Sequence, residues 1–159
     1  MPPFAPPTLP GLARRGFTVV ELMLAVVLVG VLVGVALPAY TSYKDKLKVK
    51  QAQDDISAMA ASIDLRYTDT GTLPGSLADI GKGGLLDPWG RAYAYLPLNT
   101  PGNRGQARKD HSLVPLNSDY DLYSKGPDGA SAGPLTAAAS RDDILRANNG
   151  RFIGPASNY

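Results

Sequence analysis

The chain has 159 residues, no cysteine, and 16 basic against 14 acidic residues, for a formal charge of +2. That length holds one modest domain plus one long anchoring element, and the missing cysteines exclude a disulfide framework, thiolate metal sites and cysteine nucleophiles. Arg14 and Arg15 lie ahead of a long apolar run. Without them 14 basic residues face 14 acidic ones, which leaves no net basic surface for nucleic acid.

The first sixteen residues are rich in proline (Pro2, Pro3, Pro6, Pro7 and Pro10), a composition that keeps a segment extended. Phe17 to Leu37 then reads FTVVELMLAVVLVGVLVGVAL. A helix of about 20 such residues spans the hydrocarbon core of a bilayer. Arg14 and Arg15 at its amino end put the N-terminus in the cytoplasm and the rest of the chain outside. A secretory signal would be shorter and followed by a small-residue cleavage site. A plain single-span anchor would gain nothing from Glu21, the only glutamate in the chain. A carboxylate in the membrane costs about 2.5 kcal/mol or more unless it finds a partner. Glu21 lies one helical turn from Phe17, so cleavage before Phe17 would create a positive amine close by. A neighbouring subunit's amine would then offset the cost and set the axial register.

Arg14-Arg15-Gly16-Phe17-Thr18-Val19-Val20-Glu21-Leu22-Met23 resembles the cleavage signal of type IV prepilins and type II secretion pseudopilins. There a basic leader ends in Gly, and Phe follows, with Glu four residues on at the head of an apolar helix. Pro38 also stands where such helices commonly carry proline. The resemblance implies that Gly16 ends the leader, Phe17 becomes the methylated amino terminus, and Glu21 is the assembly carboxylate. The long proline-rich leader departs from the usual pattern.

Beyond Pro38, which should kink or loosen the helix, Tyr40, Tyr43, Leu47, Ile56, Met59, Ile63 and Tyr67 recur near one helical face. A continuous helix from Phe17 to Tyr67 would be about 75 Å long. The lysines from Lys44 to Lys50 form a solvated face attracted to anionic headgroups, or pair with acids of a neighbouring subunit. Thr68-Asp69-Thr70-Gly71 with Pro74 beyond ends the helix. Pro74 to Gly84 is a loop with room for one helical turn at Ser76 to Ile80. Its Gly81-Lys82-Gly83 fails as a phosphate loop, because no Ser or Thr follows the lysine.

Asp87-Pro88-Trp89-Gly90 marks turns. The alternating tyrosines of Ala92 to Leu96 mark a strand, with Trp89 and the tyrosines packed on the helix. A second strand is expected at Tyr120 to Lys125. Between them runs a long polar loop, Asn99 to Asn117. The predicted fold is α+β: a long N-terminal helix, partly transmembrane, packed on a small antiparallel sheet. Its divisions are a leader (1–16), an assembly helix (17–38), its amphipathic continuation (39–70) and a globular body (71–159). Asp110-His111-Ser112 holds the only histidine, but adjacency in sequence does not make a triad, and no catalytic constellation is found.

Asp87-Pro88-Trp89-Gly90, Asp121-Leu122-Tyr123-Ser124-Lys125-Gly126-Pro127-Asp128-Gly129 and Asp142-Asp143-Ile144 together resemble the body of the major pseudopilin of type II secretion. In that family the later loop binds calcium, which braces the body as a disulfide does in many pilins. The resemblance implies a calcium site with Asp128 and Asp143 first, then Asp142 and Ser124, helped by carbonyls toward the six to eight oxygens calcium takes. It is not an EF-hand. On the residues alone, Asp128-Gly129 can equally be a turn, and Asp142-Asp143 can cap a short helix at Ile144 to Ala147. The loop 99–117 and the tail after Arg146 are longer than the family pattern.

Three functions remain open. The first is a pseudopilus subunit in the bacterial inner membrane, homopolymeric, with minor pseudopilins, a prepilin peptidase/N-methyltransferase and an assembly platform as partners. The second is a type IV pilin. The third is a membrane-anchored periplasmic enzyme or binding protein.

Overall fold

A computed structural model describes residues 16–159; the leader before Gly16, with Arg14 and Arg15, lies outside the described residues. The chain divides into two compact units, one ending at Thr41 and the other running from Ser42 to Tyr159.

A single helix, α1 (Val19–Thr70, 52 residues), runs through both. Thr18 and Glu21 open it. The Glu21 N–H donates to Thr18 Oγ1 at 3.1 Å, and the Thr18 N–H faces Glu21 Oε2 at 3.4 Å, so each satisfies an amide that the first turn leaves without a partner. Pro38 stays inside the helix although it lacks an N–H. The Thr41 hydroxyl donates to the Pro38 carbonyl at 2.9 Å. Gly71, at φ 70°, ends the helix, a left-handed position that glycine takes without steric cost. In the first unit every side chain of α1 is exposed. Among the described residues, α1 is the one helix long and apolar enough to cross a membrane.

In the second unit, four short strands form an antiparallel sheet in the order β1 (Ala94–Pro97), β2 (Tyr120–Ser124), β3 (Ile144–Ala147) and β4 (Phe152–Pro155). Register pairs Tyr95 with Leu122, Tyr123 with Leu145, and Arg146 with Ile153. The period-two alternation of strand side chains sorts two cores. On one face, Tyr120, Leu122 and Ile144 cluster with Ala52, Ile56, Met59, Ala60 and Ile63 of α1; Tyr95, Trp89 and Ile153 pack around them. Two tyrosines of this core bond acids of the helix: Tyr93 to Asp55 at 2.8 Å and Tyr120 to Asp64 at 3.0 Å. On the other face, Leu145, Ala147, Tyr123 and Phe152 meet Leu116, Leu135 and Ala156.

The expected α+β arrangement is present, and the turn after Pro74 is a short 3-10 helix, Leu77–Ile80, begun at Ser76. Two expectations are corrected. Only the middle of the amphipathic face is buried: Ile56, Met59 and Ile63 are covered, whereas Tyr40, Tyr43, Leu47 and Tyr67 are half exposed or more. Ile144 to Ala147 is a strand rather than a short helix, because its four residues are covered on both faces of the sheet. The tail after Arg146 supplies the fourth strand, Phe152–Pro155, which completes the sheet. The turn into it runs Asn148-Asn149-Gly150, all three at positive φ.

Candidate functional site

At the head of α1, Gly16 precedes the helix, and nothing stands within 4 Å of the space a side chain would take there. Phe17 is 85% exposed. With Thr18 and Glu21 these residues line an open concavity. The sequence pattern had missed Thr18, which positions the Glu21 carboxylate.

The second candidate is the loop between β2 and β3. Here the two motifs that are distant in sequence meet. Asp87 is buried, and its Oδ1 accepts the N–H groups of Trp89 and Arg91 at 3.0 and 2.9 Å. Its Oδ2 accepts the Ser124 hydroxyl at 2.6 Å. Ser124 Oγ in turn accepts the Gly126 N–H at 3.1 Å. Arg91 crosses to the same loop and donates to the carbonyls of Gly126 (2.5 Å) and Pro127 (3.1 Å). Gly126 (φ 62°) lies so close to Asp142 that an added Cβ would fall 2.2 Å from its carbonyl oxygen, and Gly129 (φ 71°) is packed against the Arg91 guanidinium. Both positions therefore require glycine.

The four expected calcium ligands are each engaged in hydrogen bonds within the protein. Ser124 is committed to Asp87. Asp128 Oδ1 accepts the Ala130 N–H at 2.7 Å, closing an exposed turn. Asp142 Oδ2 accepts the Asp128 N–H at 3.1 Å. Asp143 is fully buried, and its Oδ2 accepts from Arg108 Nη2 and Ser131 Oγ, both at 2.7 Å. Among the described residues no group of three carboxylates or histidines is placed to hold a metal ion. Asp143 Oδ1 is buried without a hydrogen-bond partner, but one oxygen is far from the six to eight that calcium takes. The residues present thus do not fit a calcium cage. Burial pushes the Asp143 carboxyl up, against the opposing pull of Ser131 and Arg108.

Arg108 carries no local signal in the sequence. It sits in the long loop before β2, is 4% exposed, and lies 4.2 Å over the Tyr123 ring. Its N–H donates to Asp121 Oδ2 at 2.7 Å, and its guanidinium also bonds Ser131. A second buried arginine, Arg146, pairs with Asp119 at 2.7 Å and covers the Tyr120 ring at 4.0 Å. In the Asp110-His111-Ser112 stretch, Asp110 Oδ1 accepts the N–H groups of Ser112 and Val114, so its carboxylate is the acceptor of a turn.

An exposed apolar helix headed by a single carboxylate, joined to a small antiparallel sheet, defines a pilin-like protein. Residues 12–37 match the family model for the prokaryotic N-terminal methylation motif. Along most of its length the chain is similar to the type II secretion system core protein G of Pseudomonas aeruginosa: 32% identical over 141 residues, 76% of this chain and 88% of the relative. The proteins of that name from Escherichia coli (31%; 73% and 83% covered) and Vibrio cholerae (29%; 79% and 88%) are similar as well. The chain belongs to the type II secretion system core protein G family. No solved structure gives a significant match.

Proposed function

We propose that this chain is a structural subunit of a type II secretion pseudopilus. A prepilin peptidase/N-methyltransferase cuts it between Gly16 and Phe17. The mature subunit waits in the inner membrane with its N-terminus cytoplasmic and its body periplasmic. It then polymerises with itself and with minor pseudopilins on an inner-membrane assembly platform. The role is mechanical, with no catalytic step.

The observation that carries this reading is the apolar stretch of α1. That stretch is wholly exposed, which supports a helix covered by lipid or by like helices, and Glu21 stands at its head. A fimbrial protein of Eikenella corrodens is also similar, but over only 68 residues, 43% of this chain. The core protein G relatives extend through the body, which favours the secretion system over a type IV pilus.

Intact mass and N-terminal sequence of the protein from membranes of its own host test the proposal. The expected product starts at methylated Phe17. A product starting at Met1, or cut well beyond Leu37, would remove the filament reading.

A further inference from the structure

We propose that the buried guanidinium of Arg108, carried in by the long loop before β2, braces the β2–β3 loop in place of calcium, so that this subunit holds its fold without the ion. A calcium brace works by gathering oxygens from separate turns around one positive charge. Here most of those oxygens are already paired, the buried Asp143 Oδ1 excepted. Ser124 holds Asp87, the Gly126 and Pro127 carbonyls face Arg91, and Asp142 holds the Asp128 amide. The one fully buried carboxylate of the set, Asp143, already has a fixed positive charge at 2.7 Å. A divalent ion beside it would be repelled by that guanidinium.

The arginine is held there by its backbone. The Lys109 N–H donates to the Gly133 carbonyl, the Leu135 N–H to the Lys109 carbonyl, and the Leu116 N–H to the Arg108 carbonyl, at 2.8 to 3.0 Å. Residues 107–109 are thus stitched between 115–116 on one side and 133–135 on the other. The Arg108 amide is fixed to Asp121, which Asn117 also holds at 3.0 Å. From this seat the side chain reaches Ser131 and Asp143, tying the middle and the end of the β2–β3 loop together. Two departures from the family pattern, the extended loop and the engaged carboxylates, then have one cause. The inserted segment brings its own cation and covers the second face of the sheet with Leu116. This inference concerns the body alone and stands whether or not the chain polymerises.

The test uses the full-length processed protein in detergent, melted with Trp89 fluorescence as the probe, in calcium and in excess EGTA. Equilibrium dialysis with radioactive calcium runs alongside. The expected results are the same Tm in both conditions and no stoichiometric binding. Arg108→Met should lower Tm by more than about 10 °C, because it strands a buried carboxylate. Arg108→Met/Asp143→Leu should recover most of that loss, because no charge is left to strand. Stoichiometric calcium binding, or a Tm that falls in EGTA, overturns the proposal; so does an unchanged Tm in Arg108→Met. Should the single variant fail to fold, the calcium measurements on the unaltered protein decide.

Discussion

Val19–Leu37 and Ala52–Ile63 belong to one helix, yet their side chains meet opposite surroundings. In the first stretch valines and leucines stand exposed along the whole surface. In the second, Ala52, Ile56, Met59 and Ile63 are completely covered by a sheet that the same chain supplies. Local helix propensity does not explain the contrast, because both stretches are helical and nothing ends α1 between them. The difference lies in composition: apolar residues all round the helix in one, an apolar stripe in the other. The first stretch is therefore built for a partner outside the chain, and the second for one inside it. Substitutions in the two should fail in different ways.

The largest effect is expected at the head of the exposed stretch. Glu21→Ala removes a carboxylate that costs about 2.5 kcal/mol or more in a membrane, so insertion should be intact or improved. Filaments, counted by electron microscopy of cells overproducing the subunit, should be lost, because the proposed pairing with a neighbour's amine is removed. Normal filament numbers in this variant would mean that apolar packing alone sets the register.

Met59→Ala should show the reverse pattern. Met59 is fully covered, between α1 and the sheet. Truncation there should cost about 2 to 5 kcal/mol of body stability and leave insertion and processing untouched. Thermal melts and urea titrations measure the first, and the N-terminal sequence of the membrane fraction the second. A loss of processing would mean that the peptidase reads the body as well as the head of α1.

The contrast between the two stretches also marks how much the sequence could reveal. The exposed stretch needs only its own composition to be recognised, and Gly16, Phe17 and Glu21 stand in one short local motif at its head. Strands β1 and β2 announced themselves by alternating tyrosines to within a residue or two. β3 and β4 did not: Ile144-Leu145-Arg146-Ala147 is covered on both faces, so the period-two signal is lost. The Asn149-Gly150 turn, a usable hairpin marker, was the one cue to them. The calcium expectation rests on the resemblance of Ser124 to Gly129 and Asp142-Asp143-Ile144 to a family pattern. The partners that decide their role, Asp87 with Arg91 and, separately, Arg108, come from two other segments. Arg108 is 35 residues from Asp143, in a loop whose composition reads only as polar. No local pattern predicts that a loop arginine will be 4% exposed.

The smallest effect concerns the acid that seats Arg108. Asp121 is buried beneath the long loop, and burial raises its carboxyl above the ordinary 3.8 even though the Arg108 and Asn117 N–H groups pull it down. An acid raised on folding keeps its proton longer in the folded chain than in the unfolded one. As pH rises from below 3.8 through the folded value, the unfolded chain loses its proton first and the folded state loses stability. Asp121→Asn has no such term. The stability of the unaltered protein relative to this variant should therefore be greatest in acid and fall toward neutral pH. Urea titrations of both proteins across that range read the difference directly. A difference that stays flat would mean the two N–H groups fully offset the burial of Asp121. A difference that grows toward neutral pH would mean they over-compensate, and that Asp121 holds the long loop as a favourably buried anion.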